Sequence, residues 1–269
     1  MNKNLFIKDL HNNLFSFIIW TFVITFLVIL TMSVFPTFIE NQSKILGMMN
    51  LVPKAALQFK GISNINDMLS VLGFYAANNI TYMMLLGSIF AIVLSSNILL
   101  KEEYQKTAEY LLTRPLTRSE IFLSKVAVVN FYILLLNIVI TTVGFIAIEV
   151  VKNGTFSIKA FLILSFYTFL LNSLFGAIGI FISNLVKRPK PITTFSIGLV
   201  LIFYFISTLS KITPSAATIA YLSPFKYVNI DVIRPGYQLE LINLFIFIGF
   251  TLILTGLALQ MYKRKDIYL

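Results

Sequence analysis

Long apolar runs separated by short charged ones are the dominant pattern along the chain. Six stretches, at about 15–35, 80–100, 126–148, 160–183, 192–209 and 241–262, contain no charged residue at all. Crossing the ~30 Å hydrocarbon core of a bilayer takes roughly 20 mostly apolar residues in a helix. The apolar positions are continuous rather than alternating, which predicts helices and not the strands of a barrel. The pattern therefore predicts an all-α integral membrane protein: six transmembrane helices in a single domain over residues 1–269, with no separate soluble domain. The first stretch follows Lys3 and Lys8, as the core of a signal peptide would. It is about twice too long for one and has no small-residue cleavage site after it, so a retained first span is expected.

One interruption differs from the others. Between the second and third runs lies KEEYQKTAEYLLTRPLTRSEIFLSK, residues 101–125, with nine charges in 25 residues. Over 102–112, Tyr104, Ala108, Leu111 and Leu112 recur at helical spacing and make one apolar face. Glu102 and Lys106 form an i,i+4 pair in the favourable order on the other side. Pro115 ends this helix, and Thr117 or Ser119 can cap a second one that leads into the third span. The strip reads as helix, turn, helix along the membrane surface. Periodicity alone fits equally an amphipathic loop resting on lipid headgroups.

Charge distribution adds a side to this picture. With six spans both termini share one side. If that side is the cytoplasm, thirteen of the 21 basic residues fall in the shorter inner segments, including the strip. Basic density is then about 2.5-fold higher inside, as the positive-inside rule requires. The net charge of +10 is thus a matter of topology, and no nucleic-acid partner is expected. Only 12% of residues are charged, half the ~25% of a soluble domain. Abundant Ile, Asn, Lys and Phe fit an AT-rich bacterial genome, so a bacterial cytoplasmic membrane is the expected location.

The order Glu103, Thr107, Glu109, Leu111, Leu112, Pro115, Arg118, Glu120, Lys125 resembles the cytoplasmic loop of type-2 ABC transporter permeases. Many members have glycine where this chain has Lys106 and Ser124, which suggests a sub-branch. YKRKDI at 262–267 is similar to the basic-Asp-Ile ending of that family, and YLSPF at 221–225 to its segment between the last two spans. The resemblance implies that the strip is a coupling helix docked in a groove on an ATPase subunit. Glu102, Glu103, Tyr104, Thr107, Glu109, Leu111, Leu112, Arg114, Pro115 and Arg118 are then its ATPase-coupling residues. It also implies two permeases, copies or paralogues, each clasped by one ATPase, in contact with membrane lipid.

Several chemistries are missing. No G-x-x-x-x-G-K-[ST] loop occurs to cradle phosphate, so no cofactor is expected on this chain, and ATP and Mg would sit on the partner ATPase. His11 is the only histidine and there is no cysteine, which rules out a histidine cluster and thiolate metal sites. Methionines such as Met32, Met83 and Met84 suit soft copper, but without Cys or clustered His they read as gap-fillers. Carboxylates avoid the spans, against a proton-coupled carrier. Asn97, Asn130, Asn137, Asn172 and Asn184 are expected to bond between helices rather than to line a path.

Three further expectations concern local structure. Phe6, Leu10, Leu14 and Phe17 suggest an amphipathic elbow helix ahead of the first span. Ile45, Leu46, Met49, Val52, Ala56 and Phe59 suggest a helix in the first outer loop, bent at Pro53. With 26 Phe and no buried charge, a pathway would be apolar and its cargo amphipathic, such as a peptide toxin, an antimicrobial peptide or a drug. The expected function is the permease subunit of an ATP-driven exporter, not an enzyme. The alternatives are a membrane anchor or sensor that recruits a soluble partner without transport, and an integral-membrane enzyme.

Overall fold

The computed structural model describes residues 2–53, 65–104, 117–186, 189–212, 217–233 and 236–264. Among these residues there are helices and turns and no strand, and six helices are long and apolar enough to cross a membrane. Helix α1 is Lys3–Glu40 and α2 is the short Gln42–Leu51. Val71–Tyr75 passes through a π-helical turn, Ala76–Ile80, into Thr81–Tyr104, and the three are called α3 together. Helices α4, Arg118–Val151, α5, Ile158–Leu185, α6, Pro189–Ile212, and α7, Leu241–Arg264, complete the set.

The expected elbow does not form. Helix α1 runs unbroken through 38 residues, with Asn2 as its N-cap accepting from the amides of Asn4 and Leu5. No glycine or proline occurs between Lys3 and Phe35, so nothing in the chain interrupts the helix there. The amphipathic face packs on α4 instead of lying flat on lipid. Phe6 meets Phe131 edge-on at 6.1 Å, and Phe17 packs on Tyr132 at 4.9 Å and on Phe90 of α3. Leu14 faces outward. Helix α2 stops ahead of Pro53 with Val52 as its C-cap, while Ala56 and Phe59 lie outside the described residues.

Helices α3 and α5 form the centre and pack along each other, with α1 against α4, α6 against α3 and α7 against α5. The close approach of α3 and α5 requires small residues. A Cβ at Gly179 would collide with the side chain of Ser95 and the backbone of Ile92. Polar side chains tie α3 and α5 to each other and to their neighbours α4 and α6. Ser88 donates to Asn172 Oδ1 at 3.2 Å, Thr168 to Asn137 Oδ1 at 3.3 Å, and Asn97 Nδ2 to Thr193 at 3.2 Å. Asn130 instead donates to Val126 on its own helix. The outer sides of α1 and α7 expose Phe15, Phe22, Phe26, Phe245, Phe250 and Leu252, a surface suited to acyl chains.

The turn from α4 to α5 is short. Gly154 takes φ +135°, a backbone region that L side chains rarely adopt, and Ser157 caps α5 through the amide of Ala160. Contacts of Asn2 with Ser124, of Lys125 with Asp9 and Ile98, of Asn97 with Thr193, of Asn184 with Ala258 and of Arg118 with Lys263 place the N-terminal ends of α1, α4 and α6 with the C-terminal ends of α3, α5 and α7.

Candidate functional site

That shared end carries the roots of the charged strip. Glu102, Glu103 and Tyr104 close α3. Thr107, Glu109, Leu111, Leu112, Arg114 and Pro115 lie outside the described residues, as does most of the amphipathic helix. The chain is described again from Thr117, which caps α4. Thr117 Oγ1 accepts from the Glu120 amide at 3.2 Å, and Glu120 Oε2 accepts from the Thr117 amide at 3.0 Å. This reciprocal pair satisfies two donors that the start of a helix otherwise leaves open. The helix that Thr117 starts is continuous with the third span.

Arg118 is the one expected coupling residue whose side chain is described. Its Nη1 donates to the carbonyl of Lys263 at 3.0 Å. A guanidinium on the last turn of α7 also suits the negative end of that helix dipole. Nearby, Phe122 packs on Tyr262 with ring centroids 5.6 Å apart. The strip's downstream root and the basic tail, two of the segments that carried the family resemblance, are therefore in contact. Asp266 and Ile267 lie outside the described residues.

The third such segment sits at the opposite end. Ser223 Oγ donates to the carbonyl of Phe203 at 2.7 Å, and Phe225 is buried between Phe175 and Tyr204. Two short 3-10 turns, Ile219–Leu222 and Pro224–Tyr227, result. They border a polar cavity of about 460 Å³ lined by Lys211, Lys226, Asn229, Asp231, Glu240 and Asn243. Asn229 and Asn243 both donate to the Glu240 carboxylate, at 3.1 and 2.8 Å. Burial first, then Tyr167, Asp231 and Glu240, pushes the Tyr237 phenol above its ordinary range, and its hydroxyl donates to the Asn229 carbonyl. Among the described residues no three His, Asp or Glu side chains converge to hold a metal ion.

One feature of the same end as the strip's roots contradicts the expectation of no buried charge. Lys125 and Asp9 are both buried, 1% and 4% exposed, and Lys125 Nζ lies 3.2 Å from Asp9 Oδ2. The same ammonium donates to the carbonyl of Ile98 on α3 at 3.0 Å. Alongside, the Asn2 amide donates to Ser124 Oγ at 2.9 Å and the Tyr132 hydroxyl to the Leu10 carbonyl. Asp9 and Lys125 read as loop charges because each borders an apolar run. Their opposite signs at the same depth were the available signal, but 116 residues separate them and no periodicity joins them.

The family model described as ABC-2 family transporter protein matches residues 3–267, nearly the whole chain. No curated protein matches it.

Proposed function

Since the chain belongs to the ABC-2 transporter family, we propose that it is the permease subunit of an ATP-driven exporter whose ATPase subunit grips the charged strip. Members of this family are membrane components and not themselves the ATPase, and membership implies an ABC ATPase as partner. The chain is accordingly a multi-pass membrane protein. Hydrolysis of ATP, with its Mg, then belongs to the partner chain.

The observation that carries the reading is the gathering of both roots of the strip at one end. There α3 ends, α4 begins at its capping box, and Arg118 holds the last turn of α7. A segment anchored in this way on the central helix and its neighbours can pass a push into the membrane. ATP-driven closure of two ATPases would press on two strips and tilt the helices of two permeases, opening a path between them. Both termini and the strip face the cytoplasm of a bacterial cell in this reading, which the distribution of basic residues supports.

The cargo proposed is amphipathic: a peptide toxin, an antimicrobial peptide or a drug. Support comes from the apolar, Phe-rich walls of the helices and the absence of acidic side chains through most of the membrane depth. The test is ATP turnover by the permease–ATPase complex in proteoliposomes, titrated with a panel of amphipathic peptides and with hydrophilic peptides of equal charge. Stimulation of several-fold by amphipathic members alone is expected. Equal response to both panels would remove the substrate class while leaving the permease reading intact.

A further inference from the structure

We propose that Asp9 and Lys125 are positioning residues for the strip, locking both of its roots and the head of α1 into one block so that its displacement is delivered to α1. This rests on the reading of the strip as the surface that the ATPase grips.

Burial is the first argument. A buried ion pair is seldom more stable than apolar side chains of the same volume, and its best-attested use is to fix register. Lys125 and Asp9 are nearly inaccessible, so the pair meets the full cost of leaving water. Geometry says what is registered. A lysine ammonium has three donors, and here two of them reach different helices: Asp9 on α1 and the Ile98 carbonyl on α3. Lys125 itself belongs to α4. One nitrogen therefore joins three helices.

Position supplies the function. Ile98 lies about two turns before the end of α3 at Tyr104, and Lys125 about two turns after the start of α4 at Arg118. The ammonium bridges the two roots, which sets their separation. The contact to Asp9 adds α1, which otherwise sits at the periphery with its outer side bare. The Asn2–Ser124 and Tyr132–Leu10 hydrogen bonds run between the same two helices, α1 and α4, on either side of the pair. A push on the strip thus has a dry, hydrogen-bonded route into the first span.

The chain has no cysteine, so introduced ones label cleanly. Spin labels at Lys8→Cys on α1 and Leu123→Cys on α4, both exposed sites, would be read by double electron–electron resonance. The sample is the full chain with its ATPase in lipid nanodiscs, nucleotide-free and with ATP plus vanadate. With the native pair, one narrow distance distribution unchanged by nucleotide is expected. Asp9→Leu/Lys125→Met keeps the site apolar and filled while removing the tie. It should recover the same amount of ATPase yet give a distribution that broadens and shifts on trapping. A merely stabilising pair would change the melting temperature and leave the distances insensitive to nucleotide. The proposal is overturned if the double variant matches the native distributions in both states, or if the native distance itself moves with nucleotide. Failure of the native chain to recover any ATPase would instead defeat the reading of the strip, and this proposal with it.

Discussion

Lys125 shows how far a single residue can be read. Its charge and its place at the edge of an apolar run predict a boundary residue, yet the structure buries it against Asp9 and Ile98. Partner choice across 116 residues is a property of packing and leaves no local trace. Removing one member strands the other as a bare buried charge. Lys125→Met alone should therefore cost about 3–5 kcal/mol, while Asp9→Leu/Lys125→Met should sit close to the native stability, both measured by thermal unfolding in mild detergent. Thr117 is the opposite case. Thr117 or Ser119 was the expected cap, and the structure takes Thr117, with reciprocal hydrogen bonds to Glu120 formed. Thr117→Ala should cost about 1 kcal/mol in the same assay, since the Glu120 amide loses its acceptor.

At the level of elements, the six apolar runs locate the six long helices, because the bilayer demands a minimum apolar length and every backbone group must be bonded internally. Helix ends were less legible. The second run begins at residue 80, but α3 starts at Val71 and includes a π-helical turn that composition does not mark. The elbow expected before the first span was a misreading of the same kind. An amphipathic face predicts burial on one side without saying whether lipid headgroups or another helix cover it. In α1 the cover is α4. Continuity can be tested by Asn12→Pro on the exposed side of α1, which removes the bond to Lys8 and clashes with its carbonyl. A loss of about 3 kcal/mol is expected. Native stability would mean that the chain is already broken at that point. Gly179→Leu should separate α3 from α5 and abolish recovery of the monodisperse chain, while the same change at Gly249, which has open space around it, should be silent.

For the molecule as a whole, three observations come together. The chain is an ABC-2 family membrane protein with six long apolar helices among the described residues, its basic residues crowd one end, and that end carries both roots of the charged strip. The proposed topology predicts that Asn153→Cys, in the turn between α4 and α5, reacts with an impermeant thiol reagent in intact cells. Lys3→Cys should react only after permeabilisation. Whether an ATPase grips the strip is decided by recovering the tagged chain in mild detergent and identifying its partners by mass spectrometry, beside a Glu103→Lys/Glu109→Lys variant. A P-loop ATPase is expected with the native chain, and its loss or at least tenfold depletion with the variant at equal permease recovery. Equal partners for both chains, none of them an ATPase, would contradict it and leave the strip as a membrane-surface helix.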